Sequence, residues 1–159
     1  MKLQKNTRLA LYSVLEFAAA PGRHVAAFEI AEKYGVSPHH LAKVLSELAR
    51  EGIVESVRGV GGGYRFAGNA RRLTLYDVIR RFEDLSPTDA ERRETGERTP
   101  AGRAITTVLS EIDEIAQATF RSITIATMLR IMARQEAAAG ARKTGVRPPS
   151  DPGRGRSRD

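Results

Sequence analysis

The sequence predicts a mainly α-helical protein, in which a winged helix-turn-helix domain with a two-stranded β wing precedes a long C-terminal dimerisation helix. Three observations support this fold class. Apolar residues recur at helical spacing through the first third of the chain. The period changes to two around the glycine-rich stretch "VRGVGGGYRF" at 57–66. An amphipathic stripe at helical spacing then follows Pro100.

Composition limits the classes of function. The 159 residues include 26 Lys and Arg, 19 Asp and Glu, and no Cys. A chain without Cys has no disulfide, no thiolate metal site and no cysteine nucleophile. The positive charge favours a polyanionic partner such as nucleic acid. Because no apolar run reaches the length of a membrane span and the N-terminus does not resemble an export signal, we expect a cytoplasmic protein without a membrane partner.

Three helices are predicted in the N-terminal part of the chain. The first covers 7–20 and the second covers about 27–34, each ended by glycine or proline. The third begins after Ser37, a favourable N-cap residue, with Pro38 at the first helical position, where its missing N–H is not needed. Gly52 ends this third helix.

The second and third helices match a helix-turn-helix. Ala31 is small enough to lie where the two helices cross, Gly35 supplies the turn, and Val36 fills the space beneath it. Leu41 and Val44 face the shared core. A hairpin directly after the third helix makes the motif a winged helix.

The N-terminal face of the third helix is the candidate DNA-reading surface. It presents Pro38, His39, His40 and Lys43, and the His and Lys side chains can donate to guanine or phosphate. An ordinary solvated helix surface is the alternative. The two His residues do not predict a metal site, since adjacent helical residues do not face each other and no further His follows at the required spacing.

The glycine-rich stretch is predicted to be the wing between strands at 53–58 and 63–66. A nucleotide-binding loop does not fit, because Gly63 is followed by a strand instead of a helix and Tyr64 occupies the third glycine position of the dinucleotide fingerprint. In a wing, Arg58 could enter a narrow minor groove of DNA, where the negative potential is enhanced. Gly61 and Gly62, together with Gly63, would shape the tip.

The C-terminal half divides into further segments. A helix is predicted at 74–84, with Thr74 as N-cap and Asp77 completing a capping box. The amphipathic stripe after Pro100 is as consistent with packing against its own domain as with dimerisation. The candidate dimerisation residues are Ile105, Val108, Leu109, Ile112, Ile115 and Phe120. The predicted organisation is a winged domain at 1–85, an exposed loop at 86–100, dimerisation helices at 101–135 and a basic, disordered Gly/Pro-rich tail at 136–159.

Enzymatic activity is not expected. His24, His39 and His40 belong to no recognisable nucleophile motif. Acidic pairs such as Glu111 with Glu114 fall on solvent-facing positions, where they decorate the surface.

The stretches "IAEKYGVSPHHLAKVLSELAREGIVESVRGVGGGYRF", "TLYDVIRRFE" and "SITIATML" resemble the Rrf2 family of bacterial winged-helix transcriptional regulators, which includes the iron–sulfur cluster regulator and the nitric-oxide-sensitive repressor. The resemblance covers residues 1–132. It implies a homodimeric repressor on a near-palindromic double-stranded DNA operator. The DNA contacts it implies fall on the recognition helix and the wing, at Ser37, Pro38, His39, His40, Lys43, Arg58, Gly61, Gly62, Gly63 and Tyr64.

One departure from the family pattern concerns the cofactor. Cluster-binding members carry three Cys before the dimerisation helix, where this chain has Glu91 to Glu97 and Arg103. We therefore expect no iron–sulfur cluster and no other cofactor. Regulation could come from a small molecule or a partner protein, or be absent. The alternative function is a protein-interaction module with vestigial DNA binding.

Overall fold

The computed structural model of the chain describes residues 3–85 and 99–143. The chain divides into two compact units, Met1–Leu129 and Arg130–Asp159. The elements, in chain order, are α1 (Lys5–Ala19), α2 (Ala27–Tyr34), α3 (Pro38–Arg50), β1 (Val54–Val57), β2 (Gly63–Phe66), α4 (Leu75–Ile79), α5 (Pro100–Ser122) and α6 (Ile125–Lys143).

The core of the first unit lies between α1, α3 and α4. Phe17 of α1, Leu41 and Leu45 of α3, and Val78 and Ile79 of α4 are all fully buried. Burying a side chain of this size contributes about 1.5–3 kcal/mol relative to leaving it in water. The apolar stripes predicted from the sequence therefore meet in one core. Because one side of α3 packs in this core, the opposite side of the helix lies at the surface.

The predicted helix-turn-helix is confirmed. Gly35 adopts a left-handed conformation, with φ of +60°, that turns the chain between α2 and α3. The amide of Val36 donates to the carbonyl of Ala31 at 3.0 Å, which closes the turn. Ser37 is the N-cap of α3, and its hydroxyl accepts a hydrogen bond from the amide of His40 at 3.2 Å.

The predicted hairpin is also confirmed, with β1 one residue shorter at each end than predicted and β2 as predicted. The strands β1 and β2 are antiparallel, with Val54 opposite Phe66 and Val57 opposite Gly63. The end of α3 leads directly into β1, because the amide of Ile53 donates to the carbonyl of Leu48 at 3.0 Å. The hairpin is thereby attached to the C-terminal end of the candidate reading helix.

The helix predicted at 74–84 is wrong in length, since α4 ends at Ile79. Its start is confirmed: Thr74 and Asp77 form the capping box. After Ile79 the chain continues in tighter turns, in which the amide of Phe82 donates to the carbonyl of Ile79 at 3.0 Å, and two tertiary hydrogen bonds follow. The Glu83 carboxylate accepts from the amide of Gln4 at 2.7 Å, and the carbonyl of Leu85 accepts from the side chain of Gln117 at 2.8 Å.

The predicted boundary of the tail at 136 is wrong as well, because α6 continues to Lys143. The run from Ala137 to Ala139 explains the extension, since Ala has the highest helix propensity and favours continuation of an existing helix. Residues 86–98 of the predicted loop and 144–159 of the predicted tail lie outside the described residues. Within the described ranges, every helix is too short or too polar to cross a membrane.

Candidate nucleic-acid interface

The outward face of α3 carries the candidate reading residues. Leu41, Val44, Leu45 and Leu48 bury one side of the helix, so the opposite side faces solvent. Ser37, Pro38, His39 and Lys43 are exposed on that side. Four of the five residues predicted there are therefore accessible to a duplex, and the capping Ser37 also fixes where the helix begins.

His40 is the exception among the predicted reading residues. Its side chain is half-buried, and its Nε2 lies 2.6 Å from the Oδ1 of Asn6 on α1. This hydrogen bond ties the first turn of α3 to the first turn of α1. No sequence motif indicates this role of Asn6, because 34 positions separate it from His40.

A groove of about 590 Å³ runs beside the reading face. His39, His40 and Lys43 line one side, and Asn6 and Arg81 line another part of it. Arg81 also pairs with Glu51 at 2.8 Å, just beyond the end of α3. The groove brings basic side chains of α3 and the basic Arg81, which follows α4, together with the acidic Glu47. No sequence pattern indicated that Arg81 would join them.

The wing tip carries an exposed cation. Arg58 is exposed, and no carboxylate in the described ranges lies within ion-pairing distance of it. Arg65 on the same hairpin differs, because it pairs with Glu55 across the two strands. Val60, two residues after Arg58, is fully exposed.

Gly62 and Gly63 lie at the base of the tip rather than at its outer edge. Both are half-buried, and a side chain at position 62 would collide with the carbonyl oxygen of Val57. Gly61 has open space around its Cα and a φ of +74°. Of the three glycines predicted to contact DNA, only Gly61 is exposed. Positions 62 and 63 require glycine because a β-carbon there would overlap neighbouring backbone atoms.

Tyr64 anchors the wing to the domain. Its amide donates to the carbonyl of Val25 at 2.9 Å, and its carbonyl accepts from the amide of Val25 at 2.9 Å. Its ring stacks on the buried Phe17, with 6.0 Å between the ring centroids. The half-buried side chain thus connects β2 to α1, which is an internal contact that the sequence did not indicate.

Comparisons with known proteins agree with this architecture. Residues 3–131 match the model of the family described as "Rrf2: Iron-dependent Transcriptional regulator". The chain is 50% identical over 132 residues to the "Putative HTH-type transcriptional regulator BadM" of Rhodopseudomonas palustris, an alignment that covers 83% of each protein.

Two solved structures extend the comparison to three dimensions. CymR, the global cysteine regulator of B. subtilis, is similar with a TM-score of 0.69 and 26% identity, over 82% of this chain and 98% of that one. IscR of T. potens has a TM-score of 0.66 and 26% identity, over 83% of this chain and 88% of that one. The chain therefore belongs to the Rrf2 family of winged-helix transcriptional regulators.

Proposed function

We propose that this DNA-binding regulator acts as a homodimer on a near-palindromic operator and represses transcription in the bacterial cytoplasm. The observation that carries the proposal is the combination of two basic surfaces: the outward face of α3, with His39 and Lys43, and the wing tip with the exposed Arg58. A recognition helix in the major groove and an Arg in the adjacent minor groove read different features of one site.

The exposed stripe of α5 supports the dimer. Ile105, Val108, Leu109, Ile112 and Ile115 are each more than half exposed and recur at helical spacing. A continuous apolar face of this kind on a small soluble protein marks an interaction surface. A second copy of the helix would cover it by a twofold contact, in which the same patch serves both partners. Phe120, the sixth predicted dimerisation residue, is already half-buried.

A twofold dimer also explains the expected symmetry of the operator. Two copies of α3 related by a twofold axis would enter successive major grooves, with half-site centres about 34–36 Å apart. The operator would then repeat its sequence in inverted orientation. The stretch between the half-sites would lie under the wings, where sequence-dependent groove width contributes to recognition.

Iron does not fit the described residues. The chain has no Cys to supply thiolate ligands. Within 3–85 and 99–143, no three His, Asp or Glu side chains are close enough together to hold a metal ion. Thiolates are the ligands of iron–sulfur clusters, and carboxylates alone do not replace them.

Selection of bound genomic fragments followed by footprinting tests the proposed function. We expect one protected near-palindrome whose affinity for the full-length protein exceeds that for random duplex DNA by about a thousandfold or more. The matched control is a duplex in which one half-site is scrambled, and it should bind far more weakly because only one subunit can read it. Equal affinity for cognate and random DNA at physiological salt would contradict a sequence-specific operator.

A further inference from the structure

A cavity of about 530 Å³ lies between the first turns of α1 and the turn that joins α2 to α3. Its apolar wall consists of Leu3, Leu9, Tyr12, Tyr34 and Val36. Small-molecule sites in proteins occupy about 300–1,000 Å³ and combine an apolar lining with a few polar groups. The cavity therefore has the size and lining of a site for a small organic molecule.

The polar side of the cavity is cationic. Lys5 and Arg8 line it, and no Asp or Glu is among the lining residues. Arg8 donates one hydrogen bond to the hydroxyl of Tyr12 at 3.3 Å, which leaves most of its guanidinium N–H groups available. A planar guanidinium beside an apolar wall suits a carboxylate, which it can bind through charge-assisted hydrogen bonds.

The aromatic wall is held in place before any ligand arrives. The rings of Tyr12 and Tyr34 stack with 4.6 Å between centroids and 9° between planes. The Tyr34 hydroxyl donates to Glu16 at 2.5 Å, and Lys33 pairs with the same carboxylate at 2.5 Å. Burial and the neighbouring Glu16 raise the pKa of Tyr34, so its hydroxyl keeps the proton that it donates. A preformed wall lowers the entropic cost of binding.

The position of the cavity connects it to DNA recognition. Tyr34 and Val36 flank Gly35, the residue that turns the chain into α3. Ser37, the N-cap of α3, comes directly after Val36. A molecule packed against Val36 would therefore contact the segment that sets where the recognition helix begins.

We propose that this cavity is an effector site for a small organic acid, whose apolar body lies against Tyr12, Leu9 and Val36 and whose carboxylate binds Arg8. Occupancy would change the affinity for DNA through the Gly35 turn. The effect on DNA rests on the DNA-binding function proposed above, whereas binding of the acid to the cavity does not.

Calorimetric titration of the full-length protein without DNA tests the site, with octanoate as the probe and 1-octanol as its neutral analogue. We expect octanoate to bind with one site per chain and octanol to bind at least about tenfold more weakly, because it cannot form the charged contact with Arg8. Arg8→Gln should weaken octanoate binding about tenfold or more, and Lys5→Gln combined with it should abolish detectable binding.

Arg71→Gln is the matched control, because Arg71 is also exposed but lies outside the cavity. It should leave octanoate binding unchanged. Three results would overturn the site: no octanoate binding to the wild type, equal binding of octanol, or equal weakening by Arg8→Gln and Arg71→Gln. A shift from dimer to monomer in Arg8→Glu would also overturn it, since the cavity would then be covered by the second copy.

The effector role is tested by the anisotropy of labelled operator DNA with and without saturating octanoate. We expect the dissociation constant of the wild type to change at least about fivefold, as is typical of allosteric coupling, and that of Arg8→Gln to stay constant. Octanoate binding without any change in DNA affinity would overturn the effector role. Failure of the protein to bind operator would instead contradict the proposed function, because the calorimetry contains no DNA.

Discussion

The backbone of Gly63 passes so close to Val25 that a β-carbon at position 63 would lie 2.5 Å from the Val25 carbonyl oxygen. The same two segments are joined by the pair of 2.9 Å hydrogen bonds between Val25 and Tyr64. The wing is therefore attached at its base to the segment between α1 and α2. This attachment fixes the direction in which the tip, with Arg58, leaves the domain.

Gly63→Ala should destabilise the fold at this attachment. With φ of +154° and a backbone oxygen in the way, Ala would impose both strain and steric overlap, and we expect a loss of about 2–3 kcal/mol in the free energy of unfolding. Chemical denaturation measures the loss. Gly61→Ala is the control: its φ of +74° is strained but its surroundings are open, so about 1 kcal/mol is expected. Equal losses for the two variants would contradict the close approach to Val25.

Arg58→Ala should weaken operator binding about tenfold or more while leaving the unfolding free energy unchanged. The reason is that Arg58 is exposed and has no ion-pair partner among the described residues. Arg65→Ala is the matched control on the same hairpin, since the charge of Arg65 is compensated by Glu55. Anisotropy titrations over a range of salt concentrations measure the operator affinity of both variants. An unchanged affinity for Arg58→Ala would show that the tip does not enter a groove.

Two substitutions of Ser37 separate its capping role from its position on the reading face. Ser37→Ala removes the acceptor for the His40 amide and should cost about 1 kcal/mol of unfolding free energy. Ser37→Asp keeps a good N-cap, so stability should be retained, but its negative charge should repel phosphate and reduce operator affinity about tenfold. Retained DNA affinity in Ser37→Asp would place this end of α3 away from the duplex.

The Glu16 carboxylate should make stability depend on pH. Burial raises the pKa of Glu16, but hydrogen bonds from Lys33 and Tyr34 outweigh it and hold this pKa below the ordinary value of 4.5. A depressed pKa in the folded state stabilises the protein above the unfolded-state pKa, and the contribution disappears as pH falls through the folded-state pKa.

Glu16→Gln should therefore lose about 1 kcal/mol at pH 7, since the exposure of Lys33 limits the strength of the ion pair. The difference between wild type and variant should shrink as the pH falls below 4.5. Urea denaturation at pH 7 and at a pH below 4.5 measures this difference in unfolding free energy. A difference that grew on acidification would contradict the assignment of Glu16 as the charged acceptor.

Ile112→Glu should convert the proposed dimer into monomers. Ile112 is 54% exposed at the centre of the α5 stripe, so its replacement should affect a partner copy more than the fold of its own chain. Sedimentation velocity measures the change, and loss of operator binding should accompany it. Thr107→Glu places the same charge on another face of the helix and should remain dimeric. A dimer that persists in Ile112→Glu would contradict dimerisation through this stripe.

Local patterns were sufficient to predict the helix-turn-helix. The turn at Gly35, the cap at Ser37 and the capping box of Thr74 with Asp77 were all predicted correctly, because each depends on residues within four positions of one another. The end of α4 was not predicted, since the chain passes into tighter turns after Ile79 although Phe82 keeps the helical apolar spacing. The extent of α6 was not predicted, since the alanines after position 136 continue the helix past the expected start of the tail.

The sequence by itself determined the order of the elements, the helix-turn-helix, the wing and the apolar stripe of α5, since periodicity and capping are properties of neighbouring residues. Only the tertiary structure decided which of the candidate residues are free to meet DNA. It placed Asn6 against His40, Tyr64 against Phe17, and Val25 against Gly63, while it left Arg58 without a partner among the described residues. The physical reason is that these contacts join residues tens of positions apart, and their geometry exists only once the core has brought α1, α3 and the hairpin together.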